Sequence, residues 1–491
     1  MTAATLAVYG VLLAAGVAAV LRRPAAALYL FVVGLPLHNL VMSLLYGGGV
    51  RGGALDAVQA WKETLLVAAL LSVAATAVRR RSLPFRPMLV DYLAFAFAAL
   101  VLLYAVLPQS TLGGHAGARA VLYGLRHDLV LVAAYFLGRS IPLDIRRLRW
   151  TIAGAAAAVA AWGLIEVYAV PIEWWRHSGA VGYFHRELGY DYHGPAGLPE
   201  NFAFNTSDGL FRRLVSTFVS PLATAYLLVV ALLLLATARR RLRLAGALAA
   251  VCGAGLLWTF SRSSIVALAV GLIVLAAAWR RWWPLPAAAV VVAAGFGFAA
   301  IFHEIAPRTH WFASDLPYQE AQAKAKGPLP KGSGLDTTVS LGEPSIRSHL
   351  DSLRDGIDAV FDHPQGYGLG NAGTTAQRFD VKLQAGESNY TELGVETGLA
   401  GAIAFIAWSL ALLAGLVRSA WAGDRAAAAI AGALVAVLAL AIQTDVIGVP
   451  WLAYCLWWLA GSLVYSKVLT KAQLPASSHA KGPSATASRS A

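Results

Sequence analysis

Charged side chains are scarce in this sequence, and their scarcity indicates the class of protein. Only 13% of the 491 residues are charged and 58% are hydrophobic, whereas soluble globular chains carry about 25% charged residues. Apolar runs long enough to cross a bilayer recur along most of the chain. Inside lipid, an α-helix satisfies its own backbone hydrogen bonds. We therefore expect an all-α, polytopic integral membrane helix bundle.

Cysteine is nearly absent as well. Cys252 and Cys455 both fall in apolar runs, so neither a disulfide framework nor a thiolate zinc site is expected in the loops. The long loops contain no tight Asp/Glu/His motif such as Asp-x-Asp, and we expect no metal and no cofactor. The first apolar run has no basic segment before it and no cleavage site after it, so it should be a permanent helix.

The apolar runs predict about 12–14 transmembrane helices, with a long, partly helical outer loop between later spans. Their boundaries can shift by several residues, and the short runs near 244–279 and 426–466 define them least well. The predicted spans are 3–21, 25–46, 61–78, 88–108, 119–138, 150–169, 214–236, 244–260, 263–279, 283–302, 393–416, 426–447 and 450–466.

Arginine is concentrated in every second short connection between the spans, and the alternate connections carry almost none. By the positive-inside rule the arginine-rich turns are cytoplasmic. This places the N-terminus outside, the C-terminus in the cytoplasm, and the long loops, about 170–212 and 303–392, on the outer face. The net charge of +13 therefore comes mostly from arginines that set the orientation of the chain in the membrane. Because the basic residues are scattered among turns, no nucleic-acid partner is expected.

The same pattern divides the chain into four parts. Residues 1–302 are expected to form a transmembrane bundle of about ten spans, and residues 303–392 a large extracytoplasmic loop. Apolar residues at helical spacing predict an amphipathic helix over 346–361, ended by a glycine-containing turn, HPQGYGLGN. Residues 393–469 supply the C-terminal transmembrane helices, and the Ser-, Ala- and Pro-rich residues 470–491 a disordered cytoplasmic tail.

Polar side chains inside or beside spans are costly and usually mark a site. Arg212 and Arg213 lie where a span begins, although arginines also anchor helix ends at the interface. Arg262 lies between two apolar helices, flanked by Ser261 and Ser263. A guanidinium and hydroxyls at a helix start are a suitable seat for phosphate. A solvated turn is the alternative interpretation.

A further polar group opens the span near residue 393. If a helix starts near Ser388, then Asn389, Glu392 and Glu396 form one stripe, which must face the bundle interior or a watery cavity. Glu387 precedes the stripe in the loop, where its carboxylate can stay solvated and basic. The alternative is a stripe that only packs against an arginine.

Three polar residues also interrupt an earlier span. Arg126, His127 and Asp128 lie inside the run 119–138. They either extend the polar cavity or form a buried ion pair without a catalytic role.

Taken in chain order, these motifs resemble bacterial O-antigen ligases and the related O-antigen and exopolysaccharide polymerases. That family's signature is an Arg before a Pro-containing span, a later Ser-Arg-Ser/Gly, an outer-loop helix that opens with Arg and closes in His-Pro-x-x-Gly-x-Gly, and His-Asn-x-Tyr-Leu-x-x-x-x-Glu-x-Gly leading into a span. The resemblance covers roughly residues 60–420. The matching residues are Arg213, Pro221, Ser261, Arg262, Ser263, Arg347, His363, Pro364, Gln365, Gly366, Tyr367, Gly368, Tyr390, Glu396 and Gly398.

The sequence departs from the family pattern at one important place. Glu387 stands where the family has His, and Ser388 where it has Asn. In the family the His is thought to activate or orient the acceptor hydroxyl, and a carboxylate can also act as a general base. Alternatively, His349, His363 or His303 fills that role.

The resemblance implies a metal-independent glycosyltransferase of the bacterial inner membrane. Such proteins move a glycan from undecaprenyl diphosphate, displayed in the outer leaflet, to a hydroxyl of a glycan, lipid or protein acceptor. Arg213 and Arg262 would grip the diphosphate, and Glu387 would activate the acceptor. The predicted catalytic residues are Glu387, Arg262 and Arg213, and the predicted substrate-binding residues are Arg347, Tyr390, Asn389, Glu396 and His363.

Two other classes of function remain open from the sequence. A transporter or flippase of lipid-linked sugars would also keep arginines in its cavity, but should show paired repeats and broken helices, and the sequence indicates neither. A non-catalytic cell-envelope assembly protein would tolerate loss of Arg262 and Glu387 together. Within glycosyl transfer, the departure at Glu387 favours a polymerase over a ligase.

Overall fold

The computed structural model describes residues 2–190, 192–206, 209–318, 320–321, 344–382 and 388–464. These residues form a helix bundle with little strand, which confirms the all-α polytopic fold. In chain order the helices are α1 (Thr2–Arg22), α2 (Ala26–Gly34), α3 (His38–Gly47), α4 (Gly53–Gln59), α5 (Trp61–Arg80), α6 (Leu89–Val106), α7 (Gln109–Leu112), α8 (Ala118–Ser140), α9 (Ile145–Ala169), α10 (Ile172–His177), α11 (Ala180–Gly182), α12 (Pro221–Ala236), α13 (Leu242–Trp258), α14 (Arg262–Trp279), α15 (Pro284–Ile305), α16 (Pro344–Asp362), α17 (Gly373–Arg378), α18 (Asn389–Trp421), α19 (Arg425–Leu440) and α20 (Leu452–Leu463).

The predicted spans correspond to apolar helices. Within the described ranges, nine helical segments of 18 residues or more are apolar enough to cross a membrane, and one of them joins α2 to α3. Four shorter apolar helices, α12, α13, α19 and α20, account for the other predicted spans. The helix predicted over 346–361 lies within α16.

Small residues let the central helices pack closely. Helix α14 packs along α19, where Gly271 and Gly432 face each other. A Cβ on Gly432 would lie 2.5 Å from the carbonyl oxygen of Gly271, so no side chain larger than hydrogen fits there. Close backbone contact of this kind replaces the hydrophobic effect as a driving force between helices in lipid.

The long connections meet at one end of the bundle, which we call the capped end. A three-stranded antiparallel sheet joins the two longest connections: β1 (Ala203–Thr206) pairs with β2 (Gly209–Arg212), and β2 pairs with β3 (Arg308–Thr309). The backbone N–H of Ala196 also donates to Asp315 across these connections, at 2.9 Å. The opposite end carries the arginine-rich turns, where Arg139 pairs with Asp91 at 2.8 Å.

Helix α18 differs from the continuous span expected over 393–416. It begins at Asn389 and is interrupted at Gly398, whose φ of +69° and ψ of 177° are not helical. The glycine-containing turn docks on the interruption: the N–H of Leu399 donates to Pro364 at 2.9 Å, and that of Tyr367 to Val395 at 2.6 Å. The apolar pattern did not reveal the break, because hydropathy does not report backbone dihedral angles.

Candidate active site

Two adjacent arginines at the end of β2 face different surroundings. Arg212 forms an ion pair with Glu166 and also donates to the carbonyl of Val170. Glu166 is fully buried in α9 and accepts a second bond from the indole N–H of Trp175 at 2.7 Å. Arg212 therefore neutralises a buried carboxylate, and its role is structural.

Arg213 instead joins the start of α14. Its Nε donates to the carbonyl of Thr259 at 2.9 Å, in the turn that precedes Arg262. Arg262 is the first residue of α14, and its guanidinium carbon lies 5.8 Å from the centre of the Phe204 ring. Burial and the positive charge of Arg262 both lower the pKa of Arg213 below its usual value. Two cations thus lie near each other, and a bound anion would interact favourably with both.

The serines beside Arg262 bond to each other. The hydroxyl oxygens of Ser261 and Ser264 are 2.7 Å apart, and Ser261 makes no side-chain cap on α14. Among the described residues, the Ser261 side chain supplies no capping bond to the first N–H groups of α14, and the helix dipole adds to the positive field there. This arrangement is suited to bind phosphate oxygens.

The predicted polar stripe faces the protein interior. Asn389, Glu392 and Glu396 are all buried on the first two turns of α18, before the break. Glu396 accepts a hydrogen bond from the N–H of Gly370 at 2.8 Å. Glu392 packs so tightly on Gly373 that a Cβ there would lie 1.9 Å from its Oε1. The stripe thereby holds the glycine-containing turn against α18.

Asp445 completes this polar group, and sequence reasoning did not select it. It lies between α19 and α20 and accepts bonds from Asn389 Nδ2 at 2.8 Å, Thr374 Oγ1 at 2.9 Å and the N–H of Gly448 at 2.7 Å. His127 also lies against Asp445, with Nε2 3.2 Å from Oδ1. The sequence did contain a signal that could have selected Asp445, because it is an acidic residue within the predicted span 426–447.

His127 connects two carboxylates in the protein interior. Its Nδ1 lies 2.9 Å from Asp128 Oδ1, and its Nε2 lies 3.2 Å from Asp445 Oδ1. One ligand atom each from His127, Glu392 and Asp445 lie within 4.8 Å of one another, a set that could hold a metal ion. The motif search missed this set because its members come from three separate parts of the chain.

The remaining predicted residues of the site are anchored to the backbone of neighbouring segments. The Tyr390 hydroxyl donates to Leu438 in α19 at 2.9 Å. His363 donates from Nε2 to Leu112 at 2.8 Å, and its ring stacks on Tyr367 with centroids 4.0 Å apart. Tyr390 therefore links α18 to α19, and His363 links the glycine-containing turn to α7.

Glu387 and the side chain of Arg347 lie outside the described residues. Ser388 follows Glu387 in the sequence, and its hydroxyl donates a hydrogen bond to the carbonyl of Ala441 at 3.2 Å. The chain therefore enters α18 beside the segment that carries Asp445. Of the alternative histidines, His303 lies at the end of α15, 3.9 Å from Glu304, and His349 is half-buried on α16.

The structure thus brings the predicted residues together in two groups. Arg213 and Arg262 form one, and Asn389, Glu392 and Glu396 form the other, together with His127 and Asp445. Among the described residues, no hydrogen bond joins Arg213 to these carboxylates.

The described residues form a helix bundle that holds an arginine pair and a buried acidic group near its capped end. This is the arrangement of a multi-pass membrane protein with a polar site. Residues 247–406 match the O-antigen ligase family model. This match over about a third of the chain supports a relation to the O-antigen ligase family. The match includes Arg262, the α16 helix and the polar stripe, whereas Arg213, His127 and Asp445 lie outside it. No curated protein matches the chain.

Proposed function

We propose that this protein is a metal-independent glycosyltransferase. It would move a glycan from undecaprenyl diphosphate to an acceptor hydroxyl at the outer face of the bacterial inner membrane. The observation that carries this proposal is the Arg213 and Arg262 pair at the start of α14. Two fixed guanidinium groups supply the positive charge that a departing diphosphate needs.

The reaction is a direct displacement. The acceptor oxygen forms a bond to the anomeric carbon, and the bond from that carbon to the diphosphate oxygen breaks. The diphosphate leaves with the electron pair and is stabilised by Arg213 and Arg262. The acceptor proton passes to a general base, for which we propose Glu387, the residue that precedes Ser388 in the sequence.

The capped end is proposed to face the outside, with the arginine-rich turns in the cytoplasm. In that orientation both long connections, α16 and the polar stripe lie on the side where lipid-linked glycans are displayed. Tyr390, Asn389, Glu396, His363 and Arg347 are proposed to shape or line the substrate site. We favour a polysaccharide polymerase over a ligase, because Glu387 replaces the histidine of the family pattern.

The test is glycan transfer by the purified full chain in detergent, given an undecaprenyl-diphosphate oligosaccharide with and without EDTA. We expect product in both conditions. Arg262→Gln should lower kcat by at least about 100-fold, as loss of a transition-state donor does, and Glu387→Gln should also abolish transfer. Arg308→Gln, an exposed arginine of the same cap, is the matched control.

Each outcome separates the proposal from its alternatives. Activity lost with EDTA and restored by a divalent cation would refute metal independence and direct attention to His127, Glu392 and Asp445. Bound donor without product from the native chain would favour a transporter or an assembly protein.

A further inference from the structure

A second cluster of cations lies at the capped end, on other helices than the arginine pair. Lys62 Nζ and Arg126 Nη1 both approach the same oxygen of Glu63, at 3.6 and 3.0 Å. Lys62 and Glu63 lie in the first turn of α5, and Arg126 lies in α8, which packs against α5. One carboxylate is therefore shared by two positive charges.

A third cation joins this cluster through a tyrosine. Arg126 and Arg378 both stack on the ring of Tyr123, with guanidinium carbons 4.6 and 4.1 Å from the ring centre. Arg378 is the last residue of α17, the short helix that follows the glycine-containing turn held by the polar stripe. The fold thus brings Lys62, Arg126 and Arg378 together from three parts of the chain, and Glu63 pairs with the first two of them.

The two guanidinium groups keep most of their donors available. A guanidinium offers five N–H donors. Among the described residues, the hydrogen bonds of Arg126 and Arg378 are those to Glu63 at 3.0 Å and to the carbonyl of Glu187 at 3.5 Å. The side chain of Arg126 is 43% exposed, so the cluster can be reached by a ligand. Lys62 is buried and bonded to the carbonyl of Gln59, and contributes mainly charge.

Aromatic side chains lie beside the cluster. Burial and the negative charge of Asp445 raise the pKa of the Tyr190 hydroxyl, and the positive charges of Arg378, Arg126 and His127 partly offset this rise. Tyr190 therefore stays a neutral hydrogen-bond donor near the cations. Its ring stacks on Tyr192 with centroids 5.2 Å apart, a surface on which a sugar ring can pack.

We propose that Lys62, Arg126 and Arg378 form a second anion site, which binds a phosphate or diphosphate group of the acceptor. The proposal rests on the proposed glycosyl transfer, because it assigns the second substrate of that reaction. Its chemistry suits two sources: a second lipid diphosphate glycan, as in a polymerase, or a phosphorylated glycolipid, as in a ligase. Planar guanidinium groups suit phosphate oxygens in both cases.

The first measurement is the stoichiometry of undecaprenyl diphosphate bound to the full chain in detergent, which does not require turnover. We expect two molecules per chain. The double variant Arg126→Gln with Arg378→Gln should retain one, and Arg213→Gln with Arg262→Gln should retain the other. Arg186→Gln, an exposed arginine of the same cap, is the matched control and should retain both. Arg378→Lys keeps the charge and should also retain the second molecule.

Competition then distinguishes the two sources. A phosphorylated glycolipid that displaces only the molecule held by Arg126 and Arg378, while its dephosphorylated form does not, would identify a ligase-type acceptor. Failure to compete would identify the lipid diphosphate glycan. During transfer, Arg378→Gln should raise the acceptor KM by roughly tenfold, since charge-assisted bonds are worth at least that factor, and leave the donor KM unchanged.

The proposal is overturned if the native chain binds one molecule, or if the folded double variant at Arg126 and Arg378 still binds two. Failure of the proposed transfer reaction gives a different result: two molecules bind, and no product forms. Thermal unfolding of each variant shows whether the lost binding is local.

Discussion

Arg212 and Arg213 are chemically identical neighbours with different tasks. Arg212 is buried against Glu166, whereas Arg213 is half-buried and bonded to the turn before Arg262. The sequence places both at the same span entrance and does not distinguish them. The alternation of side chains in an extended segment does, because consecutive residues point to opposite sides.

We expect opposite consequences when each arginine is replaced. Arg212→Gln leaves Glu166 as an uncompensated buried charge and should destabilise the protein by about 3–5 kcal/mol. Arg213→Gln should keep the native unfolding temperature and lose glycan transfer. Thermal unfolding in detergent and the transfer assay measure both effects.

Glu166→Gln combined with Arg212→Gln is the control, because removing both charges should recover most of the lost stability. An Arg213→Gln variant that unfolds as readily as Arg212→Gln would assign Arg213 a structural role as well.

At the scale of elements, α18 is built to be interrupted. Its first two turns carry the buried stripe, and its remaining turns form an apolar helix of the bundle. The interruption lets the glycine-containing turn bond to the backbone of both parts. A continuous helix would close off the carbonyl and N–H groups that receive this turn.

Gly398→Ala should therefore be strongly destabilising. Gly398 has a φ of +69°, and a Cβ there would lie 2.7 Å from the carbonyl oxygen of Pro364. Residues other than glycine pay about 1–3 kcal/mol for such backbone conformations, before any clash. We expect a lower unfolding temperature and loss of transfer.

Gly297→Ala is the matched control for this prediction. Gly297 lies inside α15, with no atom within 4 Å of an added Cβ, so alanine should be neutral or slightly stabilising. Equal unfolding temperatures for the two variants would show that the interruption at Gly398 is not required.

At the scale of the whole molecule, the two ends of the bundle have opposite character. The capped end gathers the long connections, the sheet and both cation clusters, and the other end carries the short arginine-rich turns. The proposed orientation places the capped end on the extracytoplasmic side of the inner membrane.

Cysteine labelling tests this orientation directly. Both native cysteines are buried, so they should contribute little background labelling. We expect a membrane-impermeant maleimide to label Ala313→Cys, exposed at the capped end, in intact cells. Ser82→Cys, exposed in an arginine-rich turn, should react only after the membrane is opened. The reverse pattern would place the active site in the cytoplasm and exclude an outer-leaflet donor.

The sequence by itself determined the fold class, the number of apolar helices and the existence of the polar stripe. These properties are local: each follows from hydropathy along one segment or from spacing around one helix. Arg262, Asn389, Glu392 and Glu396 could be selected for the same reason, because a polar group in an apolar run is visible without knowing its neighbours.

Only the tertiary structure decided which of these groups meet. Asp445 and His127 are more than 300 residues apart, yet they bond at 3.2 Å. Lys62, Arg126 and Arg378 likewise converge on Glu63 and Tyr123 from separate helices. Such contacts depend on how the helices pack and where α18 breaks, and neither is encoded in the period or hydropathy of a single segment.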